Sequence, residues 1–213
     1  MKCDPETMLL YAVTDRAWTG TQTLYQQVEQ ALKGGVTCVQ LREKELDGTA
    51  FLAEAKEICG LCRAYGVPFI VNDSVEIALA CGADGVHVGQ SDMDAGQVRT
   101  LAGERLMIGV SARTVEEALR AQRAGADYLG VGAMFSTSTK PDAKAISHQP
   151  LKEICAAVDI PVVAIGGISR DNMLELSGTG IDGVALVSAI FAAEDIESRC
   201  RELKNLVRKV VGF

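Results

Sequence analysis

Residues 81–89, CGADGVHVG, come back twice in altered form, as AGADYLGVG at 124–132 and TGIDGVALV at 179–187. In each copy a helix-ending pattern passes through glycine and aspartate into a short apolar run, the transition from α-helix to buried β-strand. Outward from these copies, strand-like runs occur near residues 8–14, 36–42, 67–71, 84–88, 106–110, 127–132, 161–165 and 182–187. Helical spacing fills intervals between them, as in TLYQQVEQALKGG (23–35), TVEEALRAQRAG (114–125) and RDNMLELSGTG (170–180). Runs such as PVVAIGG (161–167) are apolar without polar alternation, as strands covered on both faces are. Eight strand-helix units with right-handed crossovers predict an α/β fold, a single-domain (β/α)8 TIM barrel over residues 1–213. An open doubly wound sheet is the structural alternative.

The chain has 213 residues, 48% of them hydrophobic, which is enough for a substantial core. No Pro/Ser-rich linker or long charge run marks a second domain. A formal net charge of −7 argues against a nucleic-acid surface, which needs a dense basic footprint, so the basic residues are expected to act locally. No apolar stretch reaches the roughly 20 residues of a membrane span, and MKCDPETMLLYAVTD lacks a signal-peptide pattern. The expected compartment is the cytoplasm, where the seven scattered cysteines would be reduced. Cys59 and Cys62 form a CxxC late in the helical stretch 50–66, far from the helix start where a dipole lowers a thiol pKa; they read as core residues. The last segment, DIESRCRELKNLVRKVVGF (195–213), reads as a closing helix with a solvated charged face.

In such a barrel the chemistry lies just beyond the C-terminal ends of the strands. The consecutive strands in PFIVND (68–73) and DGVHVGQSD (84–92) end beside Asp73 and Asp92. Parallel neighbours about 4.8 Å apart can aim both carboxylates at one hard cation such as Mg²⁺. Taken singly, each aspartate can instead cap the helix that follows it. One strand earlier, alternation along VQLREK (39–44) sends Gln40, Arg42 and Lys44 to one face. A metal beside a cationic row suits a diphosphate. Asn72 and Ser111 also end strands on the same rim, and Thr137, Ser138, Thr139 and Lys140 offer hydroxyls and an ammonium for phosphate oxygens, or make up an ordinary polar surface loop. Backbone N–H groups at Gly166, Gly167, Val187 and Ser188, after the seventh and eighth strands, can surround a phosphate, although glycines there also serve as turns. His87 lies within a strand and reads as a packed, hydrogen-bonded imidazole, while His148 is placed at a helix entrance. No nucleophilic triad, HExxH or Walker pattern is present.

Through YAVTD, QLREK, ND, GADGVHVGQSD, GVSART, GADYLGVG, TSTK, VAIGGI and DGVALVSAI, in this order and over nearly the whole chain, the sequence resembles the thiamine-phosphate synthase family. The resemblance implies a barrel transferase that joins a hydroxymethylpyrimidine diphosphate to a hydroxyethylthiazole phosphate with Mg²⁺ as cofactor. It implies that Gln40, Arg42, Lys44, Asn72, Ser111 and Lys140 bind the pyrimidine diphosphate, that Arg42, Lys44 and Lys140 carry catalysis, and that Asp73 and Asp92 hold the metal. Thr137, Ser138, Thr139, Gly167, Val187 and Ser188 would receive the thiazole phosphate. The expected partners are these small molecules, with neither nucleic acid nor membrane; no oligomeric state is implied. Two departures stand out: residues 132–137 read GAMFST where relatives often carry two prolines, and Arg113 stands where they often carry histidine. The competing readings are a thiazole tautomerase-like isomerase, which would need neither metal nor pyrimidine diphosphate, and a noncatalytic sensor of a phosphate ligand.

Overall fold

The computed structural model describes residues 3–136 and 146–212. Eight parallel strands close a barrel in sequence order: β1 (Leu10–Val13), β2 (Cys38–Leu41), β3 (Phe69–Asn72), β4 (Gly85–Val88), β5 (Met107–Ala112), β6 (Tyr128–Gly132), β7 (Val162–Ile165) and β8 (Gly183–Leu186). Closure comes from β1 pairing with β8, in the register Leu10 to Val184, which excludes the open sheet. The surrounding α-helices are α1 (Leu24–Lys33), α2 (Gly48–Ala64), α3 (Val75–Cys81), α4 (Ala95–Ala102), α5 (Val115–Arg123), α6 (His148–Ala157), α7 (Ser188–Phe191) and α8 (Ile196–Val211).

Period-two alternation divides the apolar residues into two layers. Tyr11, Val13, Cys38, Ile70, Met107, Tyr128, Val163 and Ala185 fill the barrel interior. Their strand neighbours Leu10, Val39, Leu41, Phe69, Val71, Val86, Ile108, Leu129 and Val184 pack outward with the helix-facing residues. Each such fully buried aliphatic side chain contributes about 1.5–3 kcal/mol.

The repeated aspartate has a structural task common to all three copies. Asp84 donates its N–H to the Phe69 carbonyl (2.9 Å) while its carboxylate accepts from the Phe69 N–H (2.9 Å). Asp127 brackets Ile108 in the same way (2.7 and 2.8 Å), and Asp182 brackets Val162 (2.9 and 2.7 Å). A fourth bracket uses a hydroxyl: Thr37 donates its N–H to the Leu10 carbonyl and accepts the Leu10 N–H on Oγ1, both at 2.8 Å. Each device ties a residue at the start of one strand to the residue just before a neighbouring strand, fixing the register that aims the strand ends. Hydrogen bonds to a charged acceptor contribute roughly 1.5–3 kcal/mol each.

One predicted helix is shorter than its spacing implies. Within 170–180 only Met173–Leu176 turns, as a 3-10 helix. Asn172 folds the entrance back by accepting from the Ser169 N–H and donating to the Gly167 carbonyl, and the left-handed Gly178 and Gly180 end the turn.

Candidate active site

β2 ends at Leu41, so strand alternation carries Gln40 to the barrel interior but does not extend to Arg42 and Lys44. The chain leaves the sheet because the Arg42 N–H bonds Thr14 Oγ1 (3.0 Å) and Glu43 gathers the N–H groups of Lys44, Glu45 and Leu46. Burial alone would raise the Glu43 carboxyl, but these N–H groups and Arg16 outweigh it and hold it below the usual range. Arg16 in turn spans Glu43 (2.6 Å) and Glu54 (2.8 Å), tying the loop to α2. The loop then delivers both cations by its own geometry: Arg42 is held at 3.3 Å from Asp15, and Lys44 Nζ lies 3.6 Å from the Asp73 carboxylate. With 57% of the Lys44 side chain exposed, that last pair is weak enough to yield to a ligand.

Neither aspartate is spent on capping. Ser74 caps α3 and Asp94 caps α4, so the capping alternative for Asp73 and Asp92 does not hold. Asp73 has φ 64, the single left-handed non-glycine residue among those described, a conformation disfavoured by contact between Cβ and backbone and frequent where function holds a residue in place. Its N–H is anchored on the His87 carbonyl (2.8 Å). Asp92 accepts the Gly89 N–H at 2.7 Å, and a Cβ at Gly89 would stand 2.9 Å from the same carboxylate oxygen, so glycine is what lets the two approach. Burial, then the adjacent Asp92 charge, push the Asp73 carboxyl above its ordinary range, partly offset by Lys44. Two carboxylates that repel across a short gap are a donor set suited to a hard cation. Among the described residues no group of three or more His, Cys, Asp or Glu could hold a metal. Two carboxylates from the protein, with water and phosphate oxygens completing the shell, is the usual provision for Mg²⁺.

Below this rim the interior is polar. Gln40 Nε2 donates to the Tyr11 hydroxyl (2.8 Å), which meets the Tyr128 hydroxyl (2.8 Å). Tyr128 meets His87 Nδ1 (3.1 Å), and His87 Nε2 meets Ser111 Oγ (3.0 Å). Asn72 ends β3 in register with His87. Burial lowers the His87 pKa to about 4, so the ring is neutral at pH 7, packed and hydrogen-bonded as its strand position predicts. Tyr11 and Tyr128 were not singled out from the sequence; the signal available was parity, since alternate positions from Tyr11 and from Gln40 turn to the same interior. Gln90, from the loop after β4, bonds the Ser111 carbonyl (2.6 Å) and receives Arg120.

The opposite side of the mouth is backbone. Gly166 and Gly167 are left-handed, at φ 94 and 68. A Cβ on Gly167 would lie 2.5 Å from the Ser136 carbonyl oxygen, because the loops after β6 and β7 are stitched together by Phe135 N–H to Gly166 O (3.0 Å). Val187 follows β8, and Ser188 opens α7, whose first N–H groups have no partner within the helix. Thr137, Ser138, Thr139 and Lys140 lie outside the described residues. His148 is the first residue of α6, as predicted. Cys59 and Cys62 face the core from α2, where burial pushes the Cys62 thiol up to about 12, and all seven cysteines are free. No helix among the described residues is long and apolar enough to cross a membrane.

A family model described as thiamine monophosphate synthase matches residues 10–190. The thiamine-phosphate synthase of Ruminiclostridium cellulolyticum is 53% identical over 197 residues, covering 92% of this chain and 94% of the relative. That of Clostridium acetobutylicum is 48% identical over 200 residues, covering 94% and 95%. Among solved structures, the thiamine phosphate pyrophosphorylase of Pyrococcus furiosus superposes with a TM-score of 0.90 at 40% identity, over 98% of this chain and 99% of that one. A 3-hexulose-6-phosphate synthase, 17% identical with a TM-score of 0.65, shares the fold.

Proposed function

This chain belongs to the thiamine-phosphate synthase family and is a transferase, and on that footing we propose that it condenses 4-amino-2-methyl-5-(diphosphooxymethyl)pyrimidine with 4-methyl-5-(2-phosphooxyethyl)thiazole. The products are thiamine phosphate and diphosphate. The observation that carries this reading is the pairing of Asp73 with Asp92 beside Lys44, both carboxylates left unused by the helix caps.

The bond between the pyrimidine methylene carbon and the diphosphate oxygen breaks first, its electron pair leaving with the diphosphate. The ring stabilises the resulting cation, and the thiazole nitrogen then donates its lone pair to form the new C–N bond. No protein nucleophile is required, in keeping with a mouth built from charges and N–H groups. Arg42 and Lys44 stabilise negative charge as it grows on the leaving group, which favours the transition state over the bound substrate. Lys140 is assigned the same role. Asp73 and Asp92 are the residues that would hold Mg²⁺, which when bound supplies Lewis-acid neutralisation of the diphosphate. Gln40, Asn72 and Ser111 hold the pyrimidine end. Gly167, Val187 and Ser188, with Thr137, Ser138 and Thr139, hold the thiazole phosphate and so orient the attacking nitrogen.

Purified protein incubated with both substrates and Mg²⁺, with thiamine phosphate followed by mass spectrometry, tests the proposal. Equimolar thiamine phosphate and diphosphate, abolished by a chelator, is the expected result. A folded protein that forms no thiamine phosphate would overturn it.

A further inference from the structure

The five side chains crossing the barrel interior form one continuous hydrogen-bonded line from β2 through β1, β6 and β4 to β5: Gln40, Tyr11, Tyr128, His87, Ser111. Its direction is set at one end by which way the Gln40 amide faces. With the Gln40 amide nitrogen turned to Tyr11, the Tyr11 oxygen accepts from it, and the arrangement that uses one proton per contact passes the Tyr11 proton to Tyr128. In that arrangement Tyr128 gives its own proton to His87 Nδ1, which is then bare. A neutral imidazole with a bare Nδ1 carries its proton on Nε2 and gives it to Ser111 Oγ, leaving the serine hydroxyl proton for whatever occupies the mouth. The Cys38 thiol beside Tyr11 is a weak partner and does not compete with a phenol oxygen.

Resting on the assignment of Ser111 to the pyrimidine diphosphate, we propose that Tyr11, Tyr128 and His87 are positioning residues that lock the Ser111 hydroxyl as a donor toward an acceptor atom of that substrate. The line is accommodated at the expense of two strands. Gly109 and Gly130 interrupt β5 and β6, where glycine weakens a strand, and the room they leave is occupied: a Cβ at Gly109 would lie 2.1 Å from Tyr128 Cζ and 2.5 Å from His87 Nδ1, and one at Gly130 would lie 3.0 Å from His87 Cε1. Both phenols are buried, which raises their pKa well above the ordinary value and keeps their protons in place.

Long-range ¹H–¹⁵N correlation spectra of the ¹⁵N-labelled, substrate-free protein at pH 7 read the tautomer directly, and a His148→Gln variant assigns the two rings. A His87 ring with a bare Nδ1 and a protonated Nε2 is expected. Protonation at Nδ1, or an imidazolium, would overturn the proposal, because the line would then run the other way and Ser111 would present no proton. In turnover, Tyr128→Phe should lower kcat/KM for the pyrimidine substrate by about tenfold, the effect of one lost hydrogen bond, while the KM for thiazole phosphate stays within about twofold. A comparable rise in the KM for thiazole phosphate, or no loss at all, would also overturn it. The wild-type spectrum needs no variant to fold. Inactive wild-type protein would count against the proposed reaction, whereas active protein with a protonated Nδ1 would count against the relay alone.

Discussion

Adding one methyl group at residue 109 is the sharpest test of how the barrel interior is built. In Gly109→Ala the new Cβ would stand 2.1 Å from Tyr128 Cζ, 2.3 Å from its hydroxyl and 2.5 Å from His87 Nδ1, separations no folded protein tolerates. The tyrosine ring must move, yet it is wholly buried and its hydroxyl is shared between Tyr11 and His87. Overpacking a core costs about 1–3 kcal/mol, and leaving a buried imidazole nitrogen without its partner costs about 1–3 kcal/mol more. The two together give about 2–6 kcal/mol. At roughly 2–4 °C per kcal/mol for a chain of this length, the melting temperature should fall by at least about 4 °C. Gly60, on the exposed face of α2 with open space for 4 Å around the point where a Cβ would stand, is the control: Gly60→Ala should be neutral or stabilising by up to about 1 kcal/mol. Calorimetry on both variants decides the matter. A Gly109→Ala protein melting within about 2 °C of wild type would refute the packing described for Tyr128 and His87.

The proposed metal site, the strand brackets and the His87 imidazole each carry an expectation of their own. Asp92→Asn keeps an acceptor for the Gly89 N–H and so should melt normally, but should lose about 100-fold or more of Mg²⁺-dependent turnover; unchanged turnover at limiting Mg²⁺ would remove Asp92 from the metal. Asp127→Ala deletes the acceptor for the Ile108 N–H and for Arg99, and urea unfolding should register a loss of roughly 1.5–3 kcal/mol, with Asp127→Asn losing less because it still accepts from Ile108; equal losses would contradict the bracket. The His87 pKa falls from 6.5 in the unfolded chain to about 4 in the fold, so below pH 6.5 the unfolded state binds the extra proton and stability declines until about pH 4. Relative to His87→Gln, the wild type should lose about 3 kcal/mol across that window and nothing above it, which denaturant titrations at successive pH values would show.

Much of the mouth was legible in the chain because strand ends announce themselves. Asn72, Asp73 and Ser111 close apolar runs, Asp92 follows one closely, and a closed parallel barrel must bring such positions to one rim. The helix caps were less legible: Asp73 and Asp92 were the candidate caps, and only the backbone shows that Ser74 and Asp94 do the capping, which leaves both candidates uncommitted, Asp73 in a left-handed conformation. Lys44 lies beside Asp73, but not for the reason its spacing suggested. Its position comes from Glu43 folding the loop, not from strand parity, which ends at Leu41.

The (β/α)8 order, the two apolar layers and the family could all be read from the chain alone, since they depend on periodicity and motif order within short stretches. That Gln40, Tyr11, Tyr128, His87 and Ser111 join into one line, and that Thr37 repeats the work of the three aspartates, emerged from the folded barrel. Hydrogen bonding depends on distance through space, which spacing along the chain does not encode. Tyr11 and Tyr128 are separated by 117 residues in sequence, and barrel closure alone brings their hydroxyls within 2.8 Å.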